Sequence, residues 1–80
     1  MLRADRLLYE MQKTYKTDRF RDIVVQATFC EEREKRYICG IVDRNDVDYR
    51  IDMISEDFSY GKTISESVEN FYEIWKNKLK

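Results

Sequence analysis

Apolar side chains recur at spacings of three and four over the last third of the chain: Ile64, Val68, Phe71, Tyr72, Trp75 and Leu79. That period belongs to a helix with one apolar stripe. Thr63 and Glu66 have the Thr-x-x-Glu spacing of a capping box, in which hydroxyl and carboxylate satisfy the free N–H groups of a helix start. A shorter stripe, Leu8, Met11 and Tyr15 with Leu7 beside it, predicts a helix over residues 2–16. Glu10, Gln12, Lys13 and Lys16 form its polar side, and the two lysines suit the negative pole of the helix. A stripe this short needs docking to be stable, and Thr17-Asp18 ends it.

Between the two stripes the period drops to two. Residues 22–31 alternate Ile23, Val25, Ala27 and Phe29 against Val24, Gln26, Thr28 and Cys30. The β-branched run Ile23-Val24-Val25 favours a strand over a helix. Glu31 to Lys35 reads as a charged hairpin connection. The next strand, 36–43, places Tyr37, Cys39 and Ile41 on one face and Ile38, Gly40 and Val42 on the other. Both faces are apolar, which predicts the central strand. Asp43-Arg44-Asn45-Asp46 signals a turn through its Asx side chains.

Residues 47–54 alternate most cleanly, with Val47, Tyr49, Ile51 and Met53 opposite Asp48, Arg50 and Asp52. They predict a third strand whose charged row is a solvated face or an edge. Ser55 to Gly61 then reads as a loop, with Gly61 supplying an unusual backbone angle before the last helix. The expected fold class is α+β, in the order α-β-β-β-α. A three-stranded antiparallel sheet carries its N- and C-terminal helices packed on one face, as a single domain over 1–80. The four-residue connections favour hairpins over crossovers.

This order of elements resembles that of double-stranded RNA-binding domains over most of the chain, with no shared motif behind it. The resemblance implies a basic, phosphate-facing start to the last helix. This sequence departs from that pattern. Lys62 stands beside Glu66 and Glu69, and Lys76, Lys78 and Lys80 lie at the far end. No family is assigned on that order.

A chain of 80 residues buries roughly 60% of the surface its unfolded form exposes, so its stability is marginal or helped by a partner. Its 42% apolar and 39% charged content reads as globular, with six Tyr, four Phe and one Trp as core material. Cys30 and Cys39, in adjacent predicted strands, read as buried reduced thiols. Charges at Asp5, Arg6, Glu10 and Lys13 interrupt any signal-peptide core, and no apolar run reaches membrane-spanning length. The expected compartment is the cytoplasm, with no membrane partner.

The chemistry available is sparse. There is no histidine, which removes the commonest general base and metal ligand along with Cys-His and Ser-His-Asp centres. Asp48 and Asp52 would stand about 13 Å apart on one strand face, too far for a paired acid-base site. The 43–48 turn lacks the glycine and distal glutamate of a calcium loop. Gly61-Lys62-Thr63 matches only the end of a phosphate loop, since Glu56 stands where the upstream glycine belongs. No catalytic residue, cofactor or metal is expected, and the chain reads as non-enzymatic.

Charge then separates two expectations. The net charge is −1, but residues 1–22 carry +2, residues 23–61 carry −4 and residues 62–80 carry +1. The acidic centre points to protein–protein interaction with a basic partner, in the manner of a small regulator or phage-type inhibitor. Asp43, Asp46, Asp48, Asp52, Glu56 and Asp57 would steer that partner, with Phe58 and Tyr60 as aromatic anchors. The alternative is nucleic-acid binding through Lys13, Lys16, Arg19 and Arg21, interleaved with Tyr15 and Phe20 but diluted by Glu10, Asp18 and Asp22. Homodimerisation through a strand edge is compatible with either.

Overall fold

The computed structural model describes residues 3–14, 21–54 and 56–79. Helix α1 spans Arg3–Thr14, strand β1 Arg21–Ala27, β2 Tyr37–Asp43, β3 Phe58–Gly61 and helix α2 Ile64–Ile74. A 3-10 turn, Arg33–Lys35, sits in the β1–β2 hairpin, and a π-helical turn, Trp75–Leu79, prolongs α2. The sheet is antiparallel in the order β1-β2-β3, so β2 is the central strand as its two apolar faces require. The fold is α+β, a three-stranded antiparallel sheet with an N- and a C-terminal helix.

Both helices pack on the sheet face that carries Ile23, Val25, Cys39 and Ile41. Helix α1 contributes Ala4, Leu7 and Met11, with Leu8 half-buried, and Gln12 Nε2 donates to the Ile23 carbonyl at 2.5 Å. Helix α2 contributes Val68, Phe71 and Trp75. A buried side chain of this size adds roughly 1.5–3 kcal/mol each, so these contacts rather than helix propensity hold α1 and α2. Ile64, expected in the α2 stripe, is the first residue of the helix and is exposed, whereas Ser67 is buried. Tyr15, Lys16, Phe20 and Arg19 lie outside the described residues.

The start of α2 carries the hydroxyl half of the expected capping box, while the Glu66 carboxylate reaches one residue further back than the box requires. Thr63 has extended backbone, its hydroxyl accepts from Glu66 N at 3.0 Å, and Glu66 Oε1 reaches back to Lys62 N at 3.4 Å. Gly61 is not in the left-handed region, contrary to expectation. Its requirement is closeness: a Cβ there would collide with the α2 backbone at Glu66 and Ser67.

The largest correction concerns the third strand. Residues 47–54 do not form it. They belong to a loop whose only ladder contact among the described residues is an antiparallel bridge between Ile51 and Val42, with Asp52 N donating to Ile41 O. The strand is Phe58–Gly61, read from sequence as loop, paired with Tyr37–Gly40. If that register ran on, Glu56 would stand opposite Val42, but Ile51 stands there instead.

The reason is competition for backbone N–H groups. Asp43 Oδ1 accepts from Asn45 N at 2.8 Å, Asp46 Oδ1 from Asp48 N at 3.0 Å and Asp52 Oδ1 from Ile54 N at 3.0 Å. Each Asx turn removes a donor from a ladder, as short acidic side chains do. Tyr49 at φ 52° and Glu56 at φ 62° break the extended path further. Val47, Ile54 and Met53, expected on or beside a strand face, are exposed. No helix among the described residues is long and apolar enough to cross a membrane.

Candidate functional site

Strand alternation sends Asp22, Val24 and Gln26 of β1, Ile38, Gly40 and Val42 of β2, and Phe58 and Tyr60 of β3 to the face without helices. A second, smaller core forms there from Ile38, Val42 and Ile51, flanked by Val24, Phe58 and Tyr60. Ile51 reaches the sheet because Gly40 presents no side chain: a Cβ on Gly40 would lie 2.6 Å from Ile51 Cγ2. Phe58 and Tyr60 meet edge-to-face with centroids 5.5 Å apart, and Lys35 Nζ lies 5.5 Å from the Tyr60 ring centroid. Sequence reading placed these aromatics in a loop, whereas β3 fixes them on the sheet.

The loop after β2 is pinned across this face. Arg44 donates to Asp22 Oδ1 through Nε at 2.8 Å and Nη2 at 2.6 Å, and the Tyr49 hydroxyl donates to Asp22 Oδ2 at 2.7 Å. Gln26 Nε2 donates to the Tyr49 carbonyl at 3.3 Å. The hydrogen bond from Arg44, then that from Tyr49, holds the Asp22 carboxyl below its usual range, while the same carboxylate holds the Tyr49 phenol above its own. Sequence reading had not joined these three residues, since they meet only when the loop folds back over β1.

Beside the pinned loop lies an open groove of about 860 Å³. Ile38 and Tyr60 line it from the sheet, Thr28 and Cys30 from the end of β1, and Met53 and Ile54 from the loop. Asp43, Asp46 and Asp52 line it too, with Lys35 and Arg50. Of the predicted acidic and aromatic set, the groove therefore gathers Asp43, Asp46, Asp52 and Tyr60. Asp48 is exposed and paired with Arg50 at 3.1 Å, rather than sharing a strand face with Asp52. Glu56 is exposed, and Asp57 faces Lys78 at 3.8 Å. Of the basic set, Lys13 is exposed at the end of α1 and Arg21 is exposed on β1, with Lys16 and Arg19 outside the described residues.

Four apolar residues expected on or beside strand faces are exposed instead, and two of them, Met53 and Ile54, line the groove. Phe29, Val47 and Ile54 are 97%, 98% and 95% exposed, and Met53 is about half-exposed. Phe29, expected to continue β1, follows its end at φ 61°. Thr28 holds that turn: its hydroxyl donates to the Lys35 carbonyl and accepts from Cys30 N at 3.1 Å, and its N–H donates to Arg36 O at 3.0 Å. The two thiols also part company. Cys39 is buried beneath the helices, and burial pushes it up to about 12, whereas Cys30 is exposed and not the buried thiol expected. Among the described residues no group of three or more acids and cysteines is placed to hold a metal ion.

Comparison of the chain with protein-family models, with curated proteins and with solved structures finds no match.

Proposed function

We propose that the chain is a non-enzymatic protein-interaction module, a small regulator or inhibitor that binds a basic partner through the helix-free side of its sheet. The observation that carries this reading is the coincidence of the exposed apolar side chains of Met53 and Ile54 with the carboxylates of Asp43, Asp46 and Asp52 along one groove. Large apolar residues left in water beside a polar rim mark interaction surfaces. Carboxylates around such a patch steer a basic partner and reject a wrong one. The predicted residues Asp43, Asp46, Asp48, Asp52, Glu56, Asp57, Phe58 and Tyr60 remain the proposed contact set, with Asp57 its least available member because of Lys78.

The test is capture from the native cell extract with the purified chain, with and without nuclease, read by mass spectrometry. One stoichiometric protein that survives nuclease, and whose retention falls with salt and with Asp48→Lys or Asp52→Lys, is the expected result. Capture that vanishes with nuclease would replace this reading with nucleic-acid binding at Lys13, Lys16, Arg19 and Arg21. Capture unchanged in both charge reversals would remove the acidic residues from the mechanism.

A further inference from the structure

We infer that the groove beside the pinned loop receives a segment of a partner polypeptide in which lysine or arginine adjoins a bulky apolar residue. This rests on the protein-interaction reading and narrows it to one site and one ligand chemistry.

The charge argument is local. The two cations lining the groove are already matched: Lys35 faces Glu32 at 3.4 Å and Arg50 faces Asp48 at 3.1 Å. Asp43 and Asp46 accept backbone N–H groups, which carry no formal charge to offset the carboxylates. The lining of the groove therefore carries an excess of negative charge at Asp43 and Asp46. Phosphate backbones and acidic lipid headgroups are repelled there, and an ammonium or guanidinium is attracted.

The apolar argument is equally specific. Ile54 lines the loop side, and Phe29 stands between the two residues that line the β1 side, Thr28 and Cys30. Phe29 adopts a left-handed conformation that costs a bulky residue of order 1 kcal/mol or more, and the Thr28 hydrogen bonds hold it there. An aromatic side chain is thus kept in water on a fixed turn beside the β1 side of the groove. A volume of about 860 Å³ lies within the range of roughly 300–1,000 Å³ common to ligand pockets. An apolar residue of the partner would sit against Ile54 and Met53, over Ile38 and Tyr60, with its basic neighbour at Asp43 and Asp46.

The experiment uses the full chain labelled with nitrogen-15 and two synthetic amidated peptides, one alternating lysine and leucine, the other alternating glutamate and leucine. Amide shifts confined to residues 26–30, 35, 38, 43–46, 50–54 and 60 are expected with the lysine peptide and not with the glutamate peptide. Asp43→Asn with Asp46→Asn keeps the Asx turns and removes the charge, while Ile54→Ser removes one wall. Each should weaken binding about tenfold or more, as loss of an anchor or a matched charge does. Their unfolding midpoints should stay near that of the parent chain, because the altered groups are exposed or partly exposed.

The inference is overturned by the absence of shifts with the lysine peptide, by equal binding of the glutamate peptide, or by variants that bind like the parent. Groove shifts that grow with the concentration of the chain alone would assign the groove to a second copy and overturn it as well. A nuclease-resistant partner captured equally by the parent and the groove variants would leave the interaction reading standing and remove only the groove.

Discussion

Gly40→Ala tests the arrangement on which the helix-free face depends. Gly40 is not in the left-handed region, so alanine meets no backbone penalty there. In a strand that substitution alone favours folding by about 0.4–1 kcal/mol, because it restricts the unfolded chain. The new Cβ, however, would lie 2.6 Å from Ile51 Cγ2, 3.0 Å from Phe58 Cβ and 3.4 Å from Asp57 O. The Ile51 methyl is a branch on Cβ of a buried residue, not the free end of a long side chain, so the loop itself must move. Overpacking of this kind costs about 1–3 kcal/mol. The net expectation is a loss of about 1–2 kcal/mol, which is a large part of the stability of a small domain. With a urea dependence near the low end of about 1–3 kcal/mol per molar, the midpoint should fall by roughly 1 M.

Urea unfolding followed by Trp75 fluorescence measures this, and a double-mutant cycle identifies the cause. Ile51→Leu keeps the volume, drops the Cβ methyl and costs under about 1.5 kcal/mol. In that background most of the Gly40→Ala penalty should vanish, giving a coupling of about 1 kcal/mol between contacting sites. A stabilised Gly40→Ala protein, or additive effects of the two changes, would refute the placement of Ile51 on Gly40 and with it the geometry of the groove.

Three further outcomes are expected. Thr63→Ala should lower stability by about 1 kcal/mol in thermal unfolding, and an unchanged midpoint would mean that the cap contributes nothing. Asp22 is lowered in the native state, so its contribution is whole above about pH 4 and is lost as pH falls through the native value. Tyr49 is raised, so its contribution is whole below about pH 10 and is lost as pH rises through its native value. The difference in urea midpoint between the parent and Asp22→Asn should therefore shrink at both pH extremes, and a difference constant with pH would exclude the staple. A thiol reagent should modify Cys30 at once and Cys39 only at the rate of unfolding, whereas two fast thiols would place Cys39 outside the core.

The helices and the first two strands were legible because their signals are local. Thr63 and Glu66 sit three residues apart, and the Thr63 hydroxyl caps α2 as their spacing implies. The two apolar faces of residues 36–43 required a layer on each side, which made β2 central. Asp48 and Asp52 were read on a strand face and Phe58 and Tyr60 in a loop, and the structure exchanges the two assignments. Phe29, Val47 and Ile54 were hidden by alternation, which reads an apolar residue as facing a core whether or not the chain stays extended.

Composition and period thus determined by themselves that two amphipathic helices pack with an antiparallel three-stranded sheet, since each signal lies within a few consecutive residues. Tertiary structure decided which segment became the third strand. Residues 47–54 have the better period, but Asp46 and Asp52 take the backbone N–H groups of Asp48 and Ile54 that a ladder would need. Phe58–Gly61 has almost no pattern, yet Gly61 fits against the α2 backbone and the pairing fills the first half of the β2 edge. That choice turned the most regular stretch of the sequence into a loop, pinned by Asp22 and seated on Gly40, because close fit and hydrogen-bond competition act between residues far apart in the chain.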